Sequence, residues 1–198
     1  MRSVTPADLH GHCPRCLLQL EICVCSVLPR IEARTEVVLI RHLTERRLTS
    51  NTGRFAALAL AKSRILEYGG GEVFDSSPLV APGTALLYCS GPARPLSFVP
   101  KRLIVLDGSF RQARRMYKRL PELRDLPELS LPAPQVTPTR LRQPTQPEGM
   151  STIEAIAAAL SALEGPELAA PLWALHAELV RRADLMRGRK REIIAAGP

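Results

Sequence analysis

At 198 residues and 45% apolar content, the chain can bury the core of one ordinary domain and is not a disordered polymer. No apolar run approaches the roughly 20 residues needed to span a bilayer, and Met1-Arg2-Ser3-Val4-Thr5-Pro6 has no apolar stretch behind it. Neither a membrane span nor a secretory leader is therefore expected, and the cytoplasm is the default location. The net charge is +8, and of 27 basic residues 23 are arginine and four lysine, a balance that points to nucleic acid or another acidic partner.

Residues 1–12 read as a tail, and residues 13–30 carry a cysteine cluster, Cys13-x-x-Cys16 followed by Cys23-x-Cys25. Tetrahedral zinc takes four soft ligands, and a CxxC turn presents two thiolates to one ion. In a reducing compartment structural disulfides are disfavoured, so a structural zinc on Cys13, Cys16, Cys23 and Cys25 is the expectation, with disulfides or free thiols as the alternatives. Four thiolates leave no open position for water, so such an ion holds the segment rather than reacting. The division expected is residues 1–30 as tail and zinc segment, and 31–198 as the main domain.

Glu36 to Arg41 is a short β-branched run and reads as a buried strand. The run of helix formers from Arg54 to Leu66, closed by Gly69-Gly70-Gly71, predicts a helix. Ala85 to Cys89 and Leu103 to Leu106 predict two more buried strands, each feeding a polar or glycine-containing loop. Residues 110–120 predict a basic helix on which Arg111, Arg115, Lys118 and Arg119 share a face. The proline-dense stretch from Pro127 to Pro147 excludes continuous helix and predicts an extended loop or edge strand. Ser151-Thr152-Ile153-Glu154 is a capping box opening a helix that ends at Gly165-Pro166, and a last helix is predicted from Leu172 to Arg187. Strands alternating with helices predict an α/β fold, a mostly parallel sheet with helices on both faces. Asp107-Gly108, at the end of a buried strand, then falls where ligands bind in such folds.

Several blocks in one order resemble the DTW-domain family, the tRNA-uridine aminocarboxypropyltransferases. They are the cysteine cluster, His42-x-x-Glu45, Ser50-Asn51-Thr52-Gly53-Arg54, Leu86-Leu87-Tyr88-Cys89-Ser90, Leu106 to Ala113, Leu141-Arg142, and Ser151 to Ala155. Where the family carries Asp-x-Thr-Trp, this chain reads Asp107-Gly108-Ser109-Phe110. The resemblance implies a SPOUT-like fold with a C-terminal knot that binds S-adenosylmethionine. It also implies transfer of the 3-amino-3-carboxypropyl group to N3 of a tRNA uridine, with release of methylthioadenosine. On this reading Leu87, Ser90, Leu106, Asp107, Gly108, Ser109, Ser151 and Thr152 hold the cofactor, and Arg54, Arg111, Arg115 and Arg119 meet RNA. Asp107 is either the general base for N3 or the anchor of the cofactor's amino group. tRNA is the implied partner, no membrane is, and a monomer is favoured. Two rivals share these residues: a SPOUT-type RNA methyltransferase, and a zinc-containing RNA-binding module without activity.

Overall fold

The computed structural model describes residues 10–71, 73–88, 94–132, 141 and 149–186. Its strands are β1 (Glu36–His42), β2 (Ser63–Tyr68), β3 (Thr84–Leu87), β4 (Arg102–Asp107) and β5 (Glu128–Leu129), in the order β2-β1-β4-β3-β5 with every neighbouring pair parallel. Among the described residues four α-helices accompany them: α1 (Thr52–Ala59), α2 (Phe110–Arg119), α3 (Thr152–Glu164) and α4 (Pro166–Met186).

The alternating side chains of the central strands divide the core into two layers. Val37 and Leu39 of β1, Leu103 and Val105 of β4, and Ala85 and Leu87 of β3 face one side. There they meet Phe55, Ala56 and Ala59 of α1, Ile153, Ile156 and Leu160 of α3, and Leu172, Leu175 and Leu179 of α4. Val38, Ile40, Leu86 and Ile104 face the other side and meet Met116 of α2, with Leu79, Leu120 and Leu123. Both faces of the sheet are covered, as expected of an α/β fold, and this is why the central strands read as unbroken apolar runs. Burying each of the larger of these side chains, the valines, leucines, isoleucines, Phe55 and Met116, is worth about 1.5–3 kcal/mol.

The predicted helix from Arg54 to Leu66 is corrected. The helix stops at Ala59, because Leu60 turns extended and pairs with Ile31, and the Ser63 hydroxyl donates to the carbonyls of Ala57 and Leu60. Ser63 to Tyr68 then pairs with β1 over six register positions, from Val37↔Ser63 to His42↔Tyr68. Gly69, Gly70 and Gly71, all at positive φ, thus end a strand rather than a helix. The last helix also begins earlier than predicted, at Pro166, where a missing N–H costs nothing, and it runs through Pro171. The proline-dense stretch contributes the two-residue edge strand β5. The knot implied by the resemblance concerns a part of the chain in which residues 133–140, 142–148 and 187–198 lie outside the described residues, as does Cys89. Among the described residues no helix is long and apolar enough to cross a membrane.

Candidate active site and four-cysteine centre

β1 and β4 lie side by side, yet the helices that follow them leave to opposite faces, α1 to one and α2 to the other. In open parallel sheets such a switch in direction marks the usual ligand position, the crevice outside the carboxyl ends of the two strands. Asp107 ends β4 at that point, in register with Arg41 on β1, which is in register with Glu67 on β2. The Arg41 guanidinium donates to Glu67, so a charge row crosses three strands, buried at Asp107 and Arg41 and open to solvent at Glu67 on the edge.

Asp107 is only 2% exposed. The Thr152 hydroxyl, from the first turn of α3, donates to Oδ1 at 2.6 Å. The Asn51 amide donates to Oδ2 at 2.7 Å, while its own Oδ1 caps α1 by accepting the Arg54 N–H at 3.0 Å. A Cβ at Gly53 would stand 2.6–2.8 Å from the three carboxyl atoms, so this helical position admits no side chain. The carboxylate thus joins β4 to the N-termini of two helices, and their dipoles favour its charge. Burial nevertheless pushes the Asp107 carboxyl above the ordinary range, against the hydrogen bonds from Thr152 and Asn51 and the charges of Arg41 and Arg54.

On the crevice's other flank, Gln112 closes a capping box at the start of α2, its Oε1 accepting the Ser109 N–H at 2.6 Å. Its amide donates to the Thr44 hydroxyl at 2.7 Å and lies 3.2 Å from His42 Nδ1. Nδ1 accepts from the Thr44 N–H at 3.3 Å, so the ring proton sits on Nε2. Burial, reinforced by the charge of Arg115, holds the imidazole below its ordinary pKa and hence neutral.

The structure gathers most of the residues expected to hold a cofactor at this edge. Leu106, Asp107, Gly108 and Ser109 close β4. Leu87 ends β3 opposite Val105, and Ser151 and Thr152 arrive with α3. Ser90 lies outside the described residues. Of the expected RNA contacts, Arg111, Arg115 and Arg119 are exposed on α2 together with Arg114 and Lys118. Among the described residues none of these five cations makes an ion pair, whereas Arg30, Arg34, Arg41, Arg64, Arg102, Arg181 and Arg182 all do.

Arg54 is a correction. It is 6% exposed, and its guanidinium donates to the carbonyls of Leu48 at 3.0 Å, Cys16 at 3.5 Å and Arg46. Burial brings it down to about 10. A guanidinium that donates to three carbonyls inside the protein braces the loop before α1, and at 6% exposure it is withdrawn from any phosphate at the surface.

That brace ends on the cysteine cluster. The Sγ atoms of Cys13, Cys16, Cys23 and Cys25 all lie within 4.8 Å of one another, with Cys13–Cys25 at 3.6 Å and Cys16–Cys23 at 3.7 Å. Zn–S bonds of about 2.3 Å in a tetrahedron put the sulfurs about 3.8 Å apart, so the spacing fits a four-thiolate metal ion. None of the four is in a disulfide. Burial opposes ionisation of Cys13, yet the N–H groups of Cys16 and Arg15 and the neighbouring thiols outweigh it and bring Cys13 down to about 6. Burial pushes Cys16 and Cys25 up. Four thiols this close ionise together only around a cation. The cluster is continuous with the main core through Leu18 and Val24, and Arg182 of α4 donates to the Cys23 carbonyl.

Sequence reasoning missed the charge row, the burial of Arg54 and the bracing of His42. A glycine just inside a helix start, as at Gly53, was the available signal for a close approach.

A parallel sheet covered on both faces, with its switch point between β1 and β4, a cationic helix beside that point and a four-thiol centre joined to the same core define an α/β domain. The DTW domain matches residues 10–183, and the chain belongs to the DTW-domain family. It is similar to tRNA-uridine aminocarboxypropyltransferase 2 of Drosophila melanogaster, 30% identical over 84% of this chain and 72% of that protein. No solved structure matches.

Proposed function

We propose that this protein is a cytoplasmic enzyme that transfers the 3-amino-3-carboxypropyl group of S-adenosylmethionine to N3 of a uridine in tRNA. The observation that carries the reading is the row of exposed cations on α2, none in an ion pair among the described residues, directly after the Asp107 loop, in a chain similar to a protein named for that reaction. Bound S-adenosylmethionine would supply an electrophilic Cγ beside its sulfonium, so that formation of the N3–Cγ bond is balanced by cleavage of the Cγ–S bond, passage of the N3 proton to solvent and departure of neutral methylthioadenosine. The strand ends at Leu87 and Leu106 carry the loops that would hold the adenine, and the backbone and hydroxyl groups of Gly108, Ser109 and Ser151 would surround the ribose and amino-acid portion. Cys13, Cys16, Cys23 and Cys25 hold a structural zinc ion behind this site.

Asp107 acts here as a positioning residue. A general base needs an oxygen that can reach the departing proton, and both oxygens of Asp107 already accept short hydrogen bonds in a nearly inaccessible place. The same closure argues against direct anchoring of the cofactor's amino group. Its role is to hold the starts of α1 and α3 against the end of β4, so that the strand-end loops keep the shape of the cofactor site. Calorimetry with S-adenosylmethionine tests this. Wild-type protein should bind it, and Asp107→Asn should weaken binding by about tenfold or more, the worth of one charge-assisted hydrogen bond. No binding by the wild type would leave only an RNA-binding module. Normal binding by Asp107→Asn with lost turnover would return the base role to Asp107.

A further inference from the structure

Phe110 stands at the boundary between the crevice and the cationic helix. As the first residue of α2 it follows Ser109, whose N–H donates to Gln112 Oε1 at 2.6 Å, so its backbone direction is fixed by the capping box. The residue is nonetheless 45% exposed, while Phe55, the other helical phenylalanine, is fully buried. At 100° per residue, Phe110, Arg114, Lys118, Arg111, Arg115 and Arg119 follow one another around a single half of the helix, and all six are exposed. Met116 and Leu120 turn to the core on the opposite half.

A single exposed aromatic is ordinary; its setting here is not. A patch for a protein partner would surround the ring with other apolar groups. Instead it is followed by five cations that pair with no carboxylate among the described residues, the surroundings of a surface that tracks a phosphate backbone. In such surfaces an exposed ring offers a π-face to an unstacked base. Phe110 is also three residues from Asp107 and two from Gly108, so a base lying on it is at the mouth of the crevice.

We infer that Phe110 is the platform on which the target nucleobase, splayed out of its strand, stacks before entering the crevice, while Arg111, Arg115 and Arg119 hold the flanking phosphates. The inference rests on the reading of α2 as the RNA face and adds the residue that receives the base.

The test uses full-length protein and two short single-stranded RNA oligonucleotides of equal length and charge, one carrying a single uracil and the other abasic throughout. The wild type should prefer the uracil oligonucleotide by about 5- to 150-fold, the usual worth of one base–aromatic stack. Phe110→Ala and Phe110→Leu should abolish that preference while leaving abasic binding and its salt dependence unchanged; Phe110→Tyr and Phe110→Trp should keep it. An equal preference in Phe110→Ala, or none in the wild type, overturns the platform. The RNA-face reading fails separately, if Arg115→Glu with Arg119→Glu leaves the salt slope of abasic binding unchanged. Unchanged thermal unfolding of Phe110→Ala, expected at an exposed position, excludes a folding defect.

Discussion

Replacing Gly53 by alanine should be harmful although alanine is the better helix former. In an exposed helix the change would stabilise by about 1 kcal/mol. Here the new Cβ would meet Asp107 Oδ2 at 2.6 Å, Cγ at 2.7 Å and Oδ1 at 2.8 Å. The neighbour cannot give way cheaply, because Asp107 is a short side chain on a central strand, with one oxygen held by Asn51 and the other by Thr152. Overpacking of this kind costs about 1–3 kcal/mol, and displacing the carboxylate forfeits hydrogen bonds worth about 1.5–3 kcal/mol each. Net of the helix gain and with one of the two bonds lost, Gly53→Ala should destabilise by about 1.5–5 kcal/mol, read from urea unfolding, and weaken S-adenosylmethionine binding. Asp107→Ala removes all three clashing atoms, so in that background Gly53→Ala should be neutral or slightly stabilising. A double-mutant coupling below about 0.5 kcal/mol, the limit for independent sites, would refute the close contact and the positioning role built on it.

Protein purified without added zinc should contain about one equivalent of metal, by the four-ligand stoichiometry; none, with all four thiols alkylatable in the native state, would refute the centre. Cys16→Ser should release the ion and lower thermal stability, and Arg54→Met should loosen the ion and the α1 loop together, seen as faster metal transfer to a chelator. Reversing Arg115 and Arg119 to glutamate should reduce the log–log salt slope of tRNA binding by about two, roughly one per lost phosphate contact. Glu164 accepts the N–H groups of Arg34 at 2.9 Å and Thr35 at 2.9 Å; burial opposes its charge, but these bonds hold its carboxyl below the usual range. Its contribution is present above the unfolded-state value near 4.3 and is lost as pH falls through the lower folded value. Glu164→Gln should therefore cost about 1–2 kcal/mol at neutral pH and show a shallower loss of stability between about pH 5 and 3.

The legible parts of the fold were those whose signal is local. β1, β3 and β4 are continuous apolar runs because both sheet faces are covered, and the cysteine spacing carries its own geometry. β2 was hidden because Ser63-Arg64-Ile65-Leu66-Glu67-Tyr68 is a half-exposed edge strand with no unbroken apolar run, directly after a true helix. Asp107 was legible as a strand-end acid. Its closure was not, because Asn51 and Thr152 lie 56 and 45 residues away in sequence and meet it only through the packing of α1 and α3. Arg54 misled for a related reason. In a chain this basic an arginine reads as surface, and only the three carbonyls around its guanidinium show that it belongs to the interior.

The central claim is most directly tested by the mass of the nucleosides from tRNA incubated with the protein and S-adenosylmethionine. Transfer of the aminocarboxypropyl group adds about 101 Da to a uridine, whereas methyl transfer adds about 14 Da, figures fixed by the groups the cofactor can donate. The account predicts the larger shift on uridine alone, with methylthioadenosine as the by-product. A shift of about 14 Da with S-adenosylhomocysteine released, or no shift at all, would contradict it.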